Sequence, residues 1–539
     1  MNDRPFRAHE GTSVAAAMLD AGVTGFRTSR RGEPRAPFCG MGTCFECRAT
    51  IDGVPHQRTC RVVVREGMRI ETLSTASVER PTAFDAAHER ERADVVVVGS
   101  GPAGIAAATH AAESGCDVIL VDDNDESGGQ IWRARSAAAQ PTHEPAAKRR
   151  WIERCKRAGV RVLTKTTIFD ATSANRLIAE TSGGTLELSA DRIVLATGAT
   201  EFVVPVAGWT LPRVTSVGGL QALLESGLDL AGKRVLLAGT GPLLLAVAKS
   251  VIDAGARVQI EEEVSHGRLL RLAPSLLGHP NKFAQAVRLT AKTRRFTNHG
   301  RRLVEIRGSE DTSGSEMIAS FVDAAGEPHD HRADWVAIGH GLVPRTRLAQ
   351  LLGIRLSRDA ARSATIEVDE VGRTSDPACF AAGECTGIGG VDVALAEGAV
   401  AGLAAAGRLA DAARVARRVQ RERKFARSLQ RVFAVPSHRV LDMDPKTLVC
   451  RCEDVERREI EEYGSIRDCK LKSRCGMGPC QGRVCGPIVA RLLGDLEDRV
   501  RPPLFPVRLD HLLRAGCSHD SPDELSRRDA GDHDTVHER

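Results

Sequence analysis

Four valines, Val95–Val98, are followed by a glycine turn at Gly99–Gly101 and then by the alanine-rich stretch 102–112. An apolar run that short, closed by glycines, predicts a buried strand, a tight turn and a helix. The order recurs at 233–255, where "KRVLLAG" passes through Thr240-Gly241 into "PLLLAVAKSVIDAG". Two strand–turn–helix units are therefore expected, the second nested in a larger fold built on the first. Upstream, "SVAAAMLDAG" (13–22) predicts a short amphipathic helix, and "CRATIDGVPHQRTC" (47–60) predicts two strands turning at Asp52-Gly53. Residues 76–92 are polar and helix-prone and read as a linker. The arginine-rich stretch 414–433 predicts a long helix. Its default role is a solvated face, the alternative a surface for a partner subunit or an anionic membrane. The polar segment after Cys517 is expected to be disordered.

A length of 539 residues exceeds what one core serves, so several domains are expected. The chain is 42% hydrophobic and 27% charged, as in soluble globular proteins. Net charge is only +5 and aromatic residues make up 4%, which weighs against nucleic-acid binding. The first residues lack the apolar centre of a signal peptide, and no stretch approaches about 18 uninterrupted apolar residues. A cytoplasmic protein is expected, with any membrane contact confined to the inner face.

Fifteen cysteines change the picture. In a reducing compartment, clustered cysteines point to metal rather than disulfides. Most fall in two zones, 39–60 and 450–485, while Cys116, Cys155, Cys379, Cys385 and Cys517 are scattered and read as spectators. Cys39, Cys44, Cys47 and Cys60 stand at C-x4-C-x2-C-x12-C, the plant-type ferredoxin spacing for a 2Fe–2S cluster. Gly40 and Gly42 suit a loop whose backbone runs close to a cluster. Zinc is the competing metal, but its sites usually pair two short knuckles and this zone has one.

The first glycine loop places Gly99, Gly101 and Gly104 where a pyrophosphate could meet a helix N-terminus, and Asp122 ends the next strand where an acid binds a ribose hydroxyl. Further along, "ESGGQIWR" (126–133), "IVLATGAT" (193–200) and "TSDPACFAAGECTG" (374–387) resemble motifs of the two-dinucleotide-domain flavoproteins, the class of glutathione and thioredoxin reductases. The resemblance implies FAD in the first loop. It sets Gly128, Gly129 and Gln130 near the flavin and Thr197 and Gly198 at the crossover. Gly383 and Glu384 match the family's Gly-Asp, whose acid binds the ribityl chain. Two departures stand out. The redox-active cysteine pair of the disulfide reductases is missing, so dithiol chemistry is not expected. In the second loop Leu244 replaces the third glycine, which speaks against catalytic NAD(P). That loop could be structural, hold another nucleotide, or bind NAD weakly, with Glu261 as the candidate acid.

The second cysteine zone opens C-x-C before an acid-rich helix and resembles the bacterioferritin-associated ferredoxin domain, a small helical 2Fe–2S module. The resemblance implies Cys450, Cys452, Cys480 and Cys485 as ligands. Its last gap is longer than the family's, so Cys475 with Cys480 stays open as an alternative pair, and zinc as an alternative metal. Cys469 reads as a spectator. The phrase "CGMG" occurs in both zones, yet the two are expected to build different domains.

The expected architecture is multidomain α/β. A β-grasp 2Fe–2S ferredoxin domain (1–85) precedes a two-dinucleotide-domain FAD fold (90–435, the second unit nested at about 210–330). A helical 2Fe–2S domain (445–515) and a tail (516–539) follow. The whole resembles the A- and B-subunits of hydrogen cyanide synthase fused, or the corresponding subunits of opine oxidase and D-hydroxyproline dehydrogenase. "DGVPHQRTC", "LAGTGPLLLAVA", "GMGPCQGR" and "RPPLFPVRL" carry the likeness. It implies an electron-relay subunit with FAD and two 2Fe–2S clusters, and is compatible with FMN at a subunit interface. It also implies a partner FAD subunit of the D-amino-acid-oxidase type that oxidises the C–N bond, and a respiratory-chain acceptor. A stand-alone NAD(P)H-dependent reductase is the alternative. No catalytic residue can be assigned, although Arg345 stays open as a partner for a substrate carboxylate.

Overall fold

A computed structural model describes residues 2, 5–72, 87–133, 146–173, 175–308, 316–358, 363–494 and 500–516. The N-terminal domain has the three-stranded antiparallel order Val54–Arg58, Arg48–Ile51, Ile70–Thr72, covered by helix Val14–Asp20. Ser13 caps that helix by accepting from the Ala16 N–H. The Asp52-Gly53 turn forms as expected. Both residues have positive φ, 50° and 78°, which the tight hairpin needs to match strand twist.

The central sheet runs Arg161–Leu163, Val118–Val121, Ala87–Val98, Gly184–Leu195, Arg176–Glu180, Thr167–Ser173, with Cys379–Ala381 pairing parallel to Gly184–Leu195. The expected linker is partly wrong. Residues 87–92 belong to the first strand, because Gly184–Ser189 pairs with them residue by residue; residues 76–86 lie outside the described residues. A polar edge of this kind looks like linker in isolation and becomes strand only when a partner supplies its hydrogen bonds.

The second unit has the parallel order Val214–Ser216, Trp335–Gly339, Arg234–Gly239, Arg257–Glu262, Thr297–His299. Its closing strand lies past residue 330, so the unit extends beyond the limit expected for it. Its core is continuous with that of the N-terminal domain. Val14, Met18 and Phe26 share one buried cluster with Leu220, Leu223, Leu237 and Val247. Leu244, 1% exposed, belongs to the same cluster, which explains a large side chain where nucleotide-binding loops carry glycine.

Helix Leu409–Phe433 forms as predicted and lies on helix Val391–Ala405. Arg414 is exposed, whereas Arg423 turns inward to Glu397 at 2.7 Å. The C-terminal domain is mainly helical, with short helices Ile466–Ser473 and Gly486–Leu493 around its cysteines. It docks against the N-terminal domain through complementary charge. Arg30, Arg31 and Arg35 pair with Glu453, Glu456 and Asp454. Among the described residues no helix is long and apolar enough to cross a membrane. The tail beyond residue 516, with Cys517, lies outside the described residues. Of the other scattered cysteines, Cys155, Cys379 and Cys385 are buried and Cys116 is partly so.

Candidate functional site

The first turn is built by contact rather than by flexibility alone. A Cβ on Gly104 would fall 1.7 Å from the Gly99 carbonyl oxygen, so only glycine lets helix Pro102–Glu113 sit this close to its strand. Gly101 caps the helix, whose N-terminus opens toward a cavity of about 790 Å³. Gly99, Gly101, Asp122, Gly129 and Gln130 line that cavity. Thr197, Gly198 and Glu384 line it as well. Gly104, Gly128 and Gly383 do not; they pack behind it, against Gly99, Trp132 and Ala103.

Asp122 is 7% exposed and already engaged. Its Oδ2 accepts from the Ser100 N–H at 2.5 Å and from Ser100 Oγ at 2.9 Å, and its Oδ1 from the Asn124 N–H at 2.8 Å. With the Asn124 side-chain amide also donating to Oδ1 at 2.7 Å, the four bonds occupy the carboxylate's lone pairs and fix it beside the turn, so a ribose hydroxyl would take the place of one of these donors. Glu384 Oε1 accepts from the Gly390 N–H at 2.9 Å, and burial pushes its carboxyl above the usual range. Sequence reasoning missed what steadies this loop. Buried Glu397 accepts from the Gly383 N–H and the Thr386 hydroxyl, both at 3.0 Å, and is itself held by Arg423. A glutamate inside a helix of alanines was the available signal.

These residues fit a flavin dinucleotide. The glycine cradle between Gly101 and Gly129 is one that side chains would fill, since a Cβ on Gly129 would lie 2.9 Å from the Gly101 Cα. A helix N-terminus faces it for the pyrophosphate.

The second loop differs in the acid as well as in Leu244. Strand register aligns Gly239 with Glu262, so Glu262 rather than Glu261 occupies the position equivalent to Asp122. Glu262 Oε2 accepts from the Gly241 N–H at 3.1 Å, and burial raises its carboxyl to about 7. Glu261 faces Asn298 and His331 instead.

In the N-terminal loop all four cysteines are buried. The sulfur of Cys39 accepts from the Met41, Thr43 and Cys44 N–H groups at 3.4, 3.3 and 3.3 Å. A hydrogen bond from the Cys44 thiol, with these N–H groups, pulls Cys39 down to about 6 against the effect of burial. Cys47 is hydrogen-bonded to Cys60. Such a nest of N–H groups around a thiolate is the donor environment a 2Fe–2S cluster takes. Gly40, at φ 57°, presses against helix Val217–Glu225, where a Cβ would lie 2.7 Å from the Gly219 oxygen. Arg345 lines the cavity and is anchored at one end. Its Nη2 donates to Thr43 Oγ1 at 2.9 Å, while its own carbonyl accepts from Thr197 Oγ1 at 2.7 Å. It thus ties the crossover to the cysteine loop.

The C-terminal cysteines converge in two groups. The sulfurs of Cys450, Cys475 and Cys485 lie within 4.8 Å of one another. Cys452 is hydrogen-bonded to Cys480. Cys450 is held well below the ordinary thiol range by hydrogen bonds from Cys475 and Cys485. Cys475 thus stands with two of the four expected ligands, and the other two, Cys452 and Cys480, pair beside them. Cys469 contacts Ser473 at 3.6 Å and Cys475 from outside. The large cavity reaches both zones, with Met41 and Thr43 of the first and Cys475 and Cys485 of the second in its lining.

The fold and this cavity define a flavin oxidoreductase with two units of dinucleotide-binding topology and an added 2Fe–2S domain. Residues 93–409 match the pyridine nucleotide-disulphide oxidoreductase family, to which the chain belongs, and residues 1–75 match the 2Fe-2S iron-sulfur cluster binding domain. The opine oxidase A-subunit of Rhizobium meliloti is 31% identical over 492 residues, covering 83% of this chain and 92% of that one. Hydrogen cyanide synthase subunit HcnB of Pseudomonas aeruginosa is 30% identical over 438 residues, covering 75% and 92%. L-proline dehydrogenase from P. horikoshii shares the fold, with a TM-score of 0.67 at 18% identity over 94% of this chain and 95% of that one.

Proposed function

We propose that this chain is the electron-transferring iron–sulfur flavoprotein subunit of a multisubunit FAD-dependent amino-acid or opine dehydrogenase. It passes electrons taken from a C–N bond by a partner FAD subunit of the D-amino-acid-oxidase type to an acceptor such as the respiratory chain. The observation that carries the reading is the single cavity bordered by the flavin-binding candidates and by loops of both cysteine groups. The relatives named as subunits of opine oxidase and hydrogen cyanide synthase support it.

In this reading Gly101 and the helix behind it hold the pyrophosphate, Asp122 the ribose and Glu384 the ribityl chain. Thr197 and Gly198 flank the flavin at the crossover. Bound FAD would supply two-electron chemistry on one side and one-electron exchange with 2Fe–2S clusters on the other. The clusters would rest on Cys39, Cys44, Cys47 and Cys60, and on Cys450, Cys452, Cys480 and Cys485. Glu262 bonded across the second loop, with Leu244 committed to the core, favours a chain without catalytic NAD(P). An FMN at the partner interface and a location in the cytoplasm, up to the inner membrane face, complete the proposal.

Anaerobic titration of the purified chain tests it. NADH is expected to leave the flavin oxidised. Proline, hydroxyproline, sarcosine, glycine and octopine are expected to reduce no dye until an amine-oxidising flavoprotein partner is added. Stoichiometric reduction by NADH would support the stand-alone reductase instead.

A further inference from the structure

A buried contact between the N- and C-terminal domains joins the two cysteine segments. Glu46 is flanked by Cys44 and Cys47, and Arg451 by Cys450 and Cys452. Arg27 joins them, its Nη2 donating to Glu46 Oε1 at 2.7 Å and to the Arg451 carbonyl oxygen at 3.1 Å. Arg451 Nε lies 3.8 Å from Glu46 Oε2. Its Nη1 donates to the Trp209 carbonyl at 2.6 Å, and its guanidinium lies over the rings of Phe38 and Trp209 at 4.6 and 4.9 Å. The side chains of Glu46, Arg451 and Arg27 are 1%, 2% and 7% exposed.

Glu46 acts on Cys44 in its own domain, and the charges also reach across the domain boundary: Glu46 and Arg27 face Cys452, and Arg451 faces Cys44. Solvent does little to screen charges buried this deeply. Docking alone does not call for the arrangement, because Arg30–Glu453 and Arg31–Glu456 already pair at the rim, with arginine side chains 57% and 45% exposed, and buried Arg35–Asp454 pairs between them as one cation with one anion. Two buried cations against one buried anion are costly to desolvate. Arg27 Nε, Arg451 Nε and Glu46 Oε2 also find no hydrogen-bond partner among the described residues. What the trio provides is a net positive charge between two groups that would each gain a negative charge on reduction.

We propose that Arg27, Glu46 and Arg451 form one electrostatic bridge that sets the reduction potentials of the clusters at both cysteine groups together. The inference rests on the two-cluster reading above. The three are positioning residues that act through charge. One electron added to either cluster is stabilised by the same two cations and opposed by the same carboxylate, with no bond made or broken. Removing a cation lowers both potentials, and removing the anion raises both.

Potentiometric titration followed by EPR, on the full chain carrying FAD and its clusters, tests this. Arg27→Met is expected to lower both midpoint potentials and Glu46→Gln to raise both. Arg31→Met, at the rim, is expected to move neither. Loosening of the interface would not give opposite signs. If Arg27→Met loses a cluster, Glu46→Gln, which keeps the side chain's size, decides. Two signals in the unsubstituted chain overturn the bridge if the variant potentials stay put, move at one cluster only, or move in the same direction. A single signal there would overturn the two-cluster reading and the bridge with it.

Discussion

Arg35 and Asp454, 419 residues apart in sequence, form an ion pair at 2.7 Å with both side chains 1% exposed. Burial alone would raise the Asp454 carboxyl, but hydrogen bonds from Ser29, the Arg31 N–H and Arg35 hold it below the usual range. Its contribution to stability is therefore full above the ordinary aspartate range and lost as pH falls through the lower folded value. Asp454→Ala should cost about 3 kcal/mol at neutral pH, because Arg35 is left buried beside only half-exposed Glu33. Chemical denaturation of the variant checks it; a loss within the scatter of surface substitutions would count against a structural role.

Gly104→Ala should abolish flavin binding. The added methyl collides with the Gly99 carbonyl at 1.7 Å, and that carbonyl is backbone, so the helix must move off the strand and take the cradle with it. Absorbance of the released and bound flavin after gel filtration reads the outcome. Ala103→Gly, one position earlier, adds no atom and should retain flavin.

Glu262 gives a pH signature. Its folded carboxyl is raised from 4.5 to about 7, mainly by burial, so the folded state binds more protons than the unfolded one between those values. Stability should fall as pH rises through that window, by at most about 3 kcal/mol, and level off above it. Glu262→Gln keeps an oxygen for the Gly241 N–H and should flatten the fall. Denaturation midpoints at pH 5 and pH 8, compared between the two proteins, measure it; an unchanged slope would contradict the assignment.

Metal content separates the cysteines. The unsubstituted chain should hold about four irons, two per 2Fe–2S cluster. Cys44→Ser and Cys485→Ser should each bring the count to about two while flavin stays bound. Cys475→Ala should keep about four, since Cys475 stands beside the proposed ligands without being one of them. Iron and acid-labile sulfide assays decide, and stoichiometric zinc in place of iron would remove the cluster concerned.

Local patterns were legible wherever chemistry is local. The glycine turn at 99–104 and the hairpin at Asp52-Gly53 each need particular residues at fixed spacing, and each is found with the backbone that spacing demands, while the C-x4-C-x2-C loop buries its cysteines together with Cys60. Relationships between distant segments were not legible. Nothing near Leu244 announces a core shared with Val14 and Met18, and nothing near Arg27 announces Arg451. Glu262 was missed in favour of Glu261 because a run of three glutamates hides which one faces the turn until strand register fixes it. Residues 87–92 were read as linker because their partner strand lies about a hundred residues downstream.

The continuous core between the N-terminal domain and the second nucleotide-binding unit bears on how the chain is put together. Helix Val14–Asp20 begins at Ser13, whose N–H donates to the Ser226 carbonyl at 2.8 Å and whose hydroxyl meets that of Ser226 at 3.0 Å. The Phe38 carbonyl accepts from the Ser216 N–H at 2.9 Å. Apolar packing and backbone hydrogen bonds of this kind hold two bodies whether or not a peptide bond joins them. Cut between residues 73 and 86, the two parts should remain associated through dialysis and gel filtration. The same machine could then be specified by one reading frame or by two, with the covalent joint fixing stoichiometry rather than structure.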